Sequence, residues 1–241
     1  MVVTEKKRDC CEASMQHEAK DLIEWMLLHL PPNEVLAHIM TLLIGGQENG
    51  SMALSWTFAL LASHLDVVAK IRSEYNSIMR DYESLVHADA MSKIPFTHAV
   101  IQETLRLYSP ALFRRICTTG EHVPTSNGDT LYPRAAAMHR NPIYWTNPHK
   151  FVPERSMDGT DEWNADLVLR GGKGHSSFYI PFGMGGMQCL AYRYIMVNME
   201  VVVATFVGRL DFELAPDARL TRRFNGLTMS PSKLKMTGRA V

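Results

Sequence analysis

The chain has 241 residues, and its 25 Lys plus Arg are balanced by 25 Asp plus Glu. That length suits one large domain or two small ones, and the charge balance gives no electrostatic case for nucleic acid or an acidic membrane surface as partner. Cys10, Cys11, Cys117 and Cys189 form no CxxC pair and no regular spacing, so neither a disulfide framework nor a zinc site is indicated. Reduced thiols are the simplest reading.

The charged N-terminus, Met1 to Asp9, has no apolar core and does not read as a signal peptide or anchor. Residues 12–30 carry helical spacing, with Leu22, Ile23, Met26, Leu27 and Leu30 on one face. Pro31-Pro32 stops that helix, and Asn33 with Glu34 starts the next. This second helix, about Asn33 to His64, is apolar nearly all round and is expected to be buried across the middle of the domain. Gln47-Glu48-Asn49 at its centre argues against a lipid-spanning segment. Further helices are expected over 66–81 and 95–108, the latter ended by Ser109-Pro110.

From Arg114 the texture changes. Asn127-Gly128 between short β-prone runs marks a hairpin turn, and a long irregular loop is expected from there to Phe182. The ten histidines show no metal spacing, and His139 and His175 read as loop residues. Helix returns after Cys189 and runs to about Val207. The tail alternates, with strands expected at 210–214, 227–229 and 234–236, the last two flanking Ser230-Pro231. The expected fold is mainly α with small β-hairpins.

Three motifs carry the chemistry. Glu103 and Arg106, at i and i+3, share one face of an apolar helix. A buried pair of that kind needs further partners to offset desolvation, and Arg155 in Pro153-Glu154-Arg155 is a candidate third member. Cys189 closes the glycine-rich run that begins at Phe182. By itself it is either a structural thiol at a helix start or a metal ligand. A lone thiolate can serve as a ligand where the cofactor supplies the remaining ligands, as porphyrin does for haem iron.

The ordered set Glu103/Arg106, Pro153-Glu154-Arg155 and Phe182/Gly185/Cys189 resembles the cytochrome P450 superfamily of haem-thiolate monooxygenases. The flanks Gln102 to Pro110, Met138 to Pro142 and Ile180 to Gly183 resemble it too, in wording closest to fungal members. Gly45-Gly46-Gln47-Glu48-Asn49 is similar to the family's central-helix signature. The resemblance covers about residues 20–241. It implies the C-terminal half of the fold: a partial domain over 1–241, about half the family's usual length, without the N-terminal anchor and roof helices.

The resemblance also implies roles. Cys189 would be the axial ligand of haem b iron, with Phe182 packed beside it and Gly183 and Gly185 opening the backbone to the sulfur. Glu103, Arg106 and Arg155 would hold the loop ahead of Cys189. Arg114 or Arg115 would pair a haem propionate, and Glu48 and Asn49 would relay protons on the distal side. Three positions depart from the family pattern. Asn49 stands where threonine is usual, Met187 where Arg or His contacts a propionate, and Ala191 where glycine is usual. The implied activity is oxidation of an apolar small molecule, in terpenoid, polyketide or other secondary metabolism. It would use molecular oxygen and an NADPH-dependent reductase. The alternative is an inactive remnant without stable haem binding. Family members usually sit at the endoplasmic reticulum membrane; without an anchor this chain would be cytoplasmic, or its location is left open by the sequence.

Overall fold

The computed structural model describes residues 19–85, 88–109, 115–116, 129–131, 134–175, 178–224 and 228–241. It divides into two compact units, residues 1–48 and 49–241.

In the first unit, helix α1 (Leu22–His29) starts where the Asp21 carboxylate accepts the Glu24 N–H at 3.0 Å. The Glu24 carboxylate in turn accepts the N–H of Lys20, the residue ahead of the cap, which ties the entering chain to the first turn. Helix α2 (Pro32–Leu61) is continuous through Gly45-Gly46. The expectation that it would be buried along its length is corrected here. Leu36, Met40, Leu43 and Ile44 are exposed, whereas Ala53, Trp56, Ala59 and Leu61 are buried. The apolar sequence is uniform, but burial needs facing surfaces, and the core cluster draws on α2 only from Ala53 onward. No single helix among the described residues is long and apolar enough to cross a membrane.

The second unit is organised around three more helices, α3 (Leu65–Tyr82), α5 (Pro95–Leu107) and α8 (Tyr192–Arg209), with the four-residue α4 (Ala88–Met91) between the first two. Val67 and Ile71 of α3, Val100, Ile101 and Leu105 of α5, and Met199, Val203 and Val207 of α8 form one buried cluster with Ala53 and Leu61. Charged side chains lock these helices at their ends. Glu74 of α3 accepts the Phe96 and Thr97 N–H groups at 2.7 and 2.9 Å, capping the start of α5 from outside. Arg72 donates to the Val207 and Leu210 carbonyls at 3.0 Å and so caps the end of α8.

Between α5 and α8 lies the stretch read as a long irregular loop. It holds the short helices α6 (Ala135–Met138) and α7 (Asp161–Leu169), with a 3-10 turn at Pro153–Ser156. Thr160 starts α7 by accepting the Trp163 N–H at 3.2 Å, and Asp161 and Glu162 face its positive end. That cap was readable, but it sits among Pro, Asn and Gly residues that pointed to loop.

Strand β1 (Arg115–Ile116) pairs antiparallel with β2 (Thr130–Leu131), while Asn127-Gly128 lies outside the described residues. In the tail, β3 (Leu210–Leu214) pairs with β6 (Met236–Ala240), and β4 (Arg219–Phe224) with β5 (Met229–Lys233). Pro231 is therefore inside a strand, opposite Arg222 next to a register irregularity, and not between two strands as expected. A proline fits a strand at such a bulge or edge, where no ladder donor is needed.

Gly208, near the end of α8, lies against Tyr75 of α3, and a Cβ there would fall 2.1 Å from the ring. Tyr75 is buried and its hydroxyl accepts from Arg209 at 2.9 Å, so the ring has little room to yield. Helix propensity alone would favour alanine by up to about 1 kcal/mol. Overpacking should outweigh it, so Gly208→Ala is expected to lower the urea unfolding free energy by roughly 1–3 kcal/mol.

Candidate functional site

Glu103 projects from α5 into the protein and is fully buried. Its carboxylate accepts from Arg106 at 2.7 and 2.8 Å, from Arg155 at 3.1 Å and from the Val152 N–H at 2.9 Å. Two guanidiniums on one carboxylate leave excess positive charge in the interior. Backbone carbonyls and a second acid take it up. Arg106 donates to the carbonyls of His139, Pro148 and Lys150 at 2.6, 2.8 and 3.1 Å. Arg155 donates to Asp166 at 2.7 Å and to the Thr146 carbonyl at 3.0 Å.

Asp166, buried on α7, also accepts the Thr146 N–H and hydroxyl, both at 2.6 Å. Arg170, one turn on, reaches Asp166 at 3.3 Å and the Tyr144 carbonyl at 3.0 Å. Its guanidinium lies 4.1 Å from the centre of the Trp145 ring. Every acceptor on the two acids is used, the condition under which buried charges are tolerated. Glu103, Arg106 and Arg155 are thus brought together. Asp166, Arg170 and Trp145 complete the cluster and were missed, because their segment was read as loop. The i, i+4 spacing of Asp166 and Arg170 was the available signal.

From this cluster two hydrogen bonds reach the segment before Cys189. The Tyr179 hydroxyl donates to the Gln102 carbonyl of α5 at 3.0 Å, and burial holds that phenol well above its ordinary pKa. The Ile180 N–H donates to Nε2 of His139 at 2.9 Å, which places the imidazole proton on Nδ1. Neither His139 nor His175 is the plain loop residue expected. His139 is fully buried and stacked on Tyr179, and His175 is stacked on Trp163.

Phe182 packs against the main core cluster, and its carbonyl accepts the Cys189 N–H at 2.9 Å, closing an eight-residue loop. Gly183 and Gly185 have φ of 75° and 66°, left-handed values that allow the turn and that L side chains rarely adopt. A 3-10 turn at Gly185–Met187 then leads to Cys189, three residues before α8 begins. The thiol is free and exposed, just ahead of that helix's N-terminal end. Around it Met187 is 72% exposed, Leu190 89% and Tyr194 72%.

Among the described residues no group of three or more His, Cys, Asp or Glu gathers to hold a metal. A single thiol suits a metal that brings its other ligands, and exposed apolar side chains suit a flat apolar macrocycle. The donor set therefore fits haem. Of the remaining expected residues, Glu48 and Asn49 are half-buried on α2 and fall in different units. Arg115 is placed on β1 by its backbone alone, and Arg114 lies outside the described residues.

The buried histidines make stability depend on pH. Burial, then the Arg106 charge, lowers His139 to about 3. Burial, then the Arg170 charge, lowers His175 to about 3. Unfolded histidine takes up its proton near pH 6.5, so below that pH the unfolded chain binds more protons and the fold loses stability. The loss should continue down to about pH 3, at up to about 1.4 kcal/mol per pH unit for each ring, with no contribution above about pH 7. Urea unfolding at pH 7.5, 6.5 and 5.5 should show this fall. Substituting His139 and His175 by Gln should flatten it, and a profile already flat in the unsubstituted protein would refute the assignment.

Comparison with known proteins completes the picture. The cytochrome P450 family model matches residues 1–237. The chain is 32% identical over 205 residues to the Arabidopsis thaliana protein LUTEIN DEFICIENT 5, chloroplastic, covering 83% of this chain and 33% of that one. It is 32% identical over 192 residues to sugiol synthase of Salvia miltiorrhiza, covering 77% and 37%. Over 189 residues it is 30% identical to 9-beta-pimara-7,15-diene oxidase of Oryza sativa subsp. japonica, covering 76% and 36%. The chain thus spans little more than a third of the length of these relatives. Among solved structures, the cytochrome P450DA heme domain superposes with a TM-score of 0.83 at 21% identity, over 100% of this chain and 52% of that one. That likeness establishes the fold, mainly helical with small antiparallel sheets. With the family match over nearly its whole length, the chain belongs to the cytochrome P450 family.

Proposed function

We propose that the chain contributes the thiolate half of a haem-thiolate monooxygenase, in which Cys189 would hold the iron of haem b. The observation that carries this reading is the exposed Cys189 thiol at the start of α8, on a loop closed by Phe182 and rimmed by uncovered apolar side chains. Bound haem would supply an iron centre at which molecular oxygen is activated for insertion into the substrate.

The chain's own residues do the rest. Glu103, Arg106 and Arg155 fix the segments that carry the loop, and the Cys189 N–H stays tied to Phe182. The Phe182 ring would shield one side of the sulfur, and Gly183 and Gly185 would let backbone N–H groups come close to it. Arg114 or Arg115 would pair a propionate. The Glu48 carboxyl and the Asn49 amide would hold and pass protons toward the reacting oxygen. Electrons would come from an NADPH-dependent reductase docking on the cysteine side.

The substrate is an apolar small molecule of secondary metabolism, a terpenoid in the first instance. Relatives named for oxidising 9-beta-pimara-7,15-diene and for oxygenating tabersonine support that direction. The test is the spectrum of the haem-reconstituted, reduced and carbon-monoxide-treated chain. A Soret band at the thiolate-haem position is expected, and Cys189→Ser should abolish it with haem still bound. Survival of the band in that variant would refute the ligand assignment.

A further inference from the structure

A second polar cluster uses none of the residues assigned above. Tyr108, just past α5, is stacked on Trp56 of α2 with ring centres 3.9 Å apart and planes at 12°. The Trp56 N–H donates to the Met229 carbonyl at 3.0 Å, so the pair is fixed from α2 and from β5. Two guanidiniums converge on the same tyrosine ring. Arg140 lies 5.5 Å from its centre and Arg222, on β4, lies 5.0 Å away. Arg140 is half-buried, and burial, then the charge of Arg222, lowers it to about 10 against the opposing effect of Tyr108.

Arg140 Nη2 is buried without a hydrogen-bond partner, and so is the Ser109 hydroxyl next to Tyr108. A tyrosine ring offsets only part of the cost of such a charge, about 0.5–2 kcal/mol per cation. Arg222 is exposed and keeps its hydration, so the unmet need lies with the buried Nη2 donor of Arg140, which an anion would satisfy. Planar guanidinium forks match the paired oxygens of carboxylates and phosphates.

We propose that Arg140 and Arg222, which meet at the Tyr108 ring, form a binding site for an oxyanion head group, a carboxylate or phosphate carried by a small molecule. The site is independent of the haem reading, since neither Cys189 nor its loop takes part. Calorimetric titration of the full chain with benzoate, phenyl phosphate and benzyl alcohol tests it. Benzoate or phenyl phosphate should bind and benzyl alcohol should not, the stronger of the two acids identifying the head group. Arg140→Gln and Arg222→Gln should each weaken that binding at least about tenfold. Arg140→Gln should also unfold no earlier than the unsubstituted chain in anion-free buffer, because it removes an uncompensated charge. The proposal is overturned if neither acid binds, if benzyl alcohol binds as tightly, or if both variants retain full affinity.

Discussion

The Glu103 carboxylate, shared by Arg106, Arg155 and the Val152 N–H inside the protein, is the interaction on which the site depends. A charge so placed is stabilising only while every partner is present. Removing one leaves an uncompensated ion, a loss on the order of 3–5 kcal/mol. The network therefore acts as a geometric constraint more than as a source of net stability. It fixes where the chain passes at residues 139, 146, 148, 150 and 152, which are otherwise short of regular structure.

That constraint reaches Cys189 by a short route. Arg106 holds the His139 carbonyl, and the His139 ring holds the Ile180 N–H. Tyr179 is tied separately to α5. Phe182 then anchors the loop in the core while its carbonyl holds the Cys189 N–H. The exposed thiol is thus carried by buried groups on one side and by the long helix α8 on the other. An exposed loop with left-handed glycines would otherwise have few reasons to keep one shape.

Much of this was legible in the sequence, for identifiable reasons. Glu103 and Arg106 sit at helical spacing in an apolar segment, and Pro-Glu-Arg at 153–155 and the glycines before Cys189 are local patterns with local meaning. The helices α3, α5 and α8 follow from periodicity within a residue or two at most boundaries. What was not legible is long-range. Asp166 and Arg170 matter because α7 folds back onto Arg155, and nothing in their neighbourhood announces that contact. His139 looked like a loop residue because its role depends on Ile180, forty-one positions away. The exposed first half of α2 was misread because an apolar sequence specifies a wish to be buried and not the surface that buries it. Pro231 was placed between two strands because its own strand is made by a partner, Arg219–Phe224, with no strong alternation of its own.

The account's central claim is that the Glu103 network, through His139 and Ile180, holds the loop that presents Cys189. Amide hydrogen exchange on Glu103→Gln measures it most directly, because the substitution removes the charge and keeps the shape. The Val152, Ile180 and Cys189 amides should lose protection together, while core amides such as those of Ile71 and Val203 keep theirs. Loss of protection at Val152 with Ile180 and Cys189 still protected would contradict the claim.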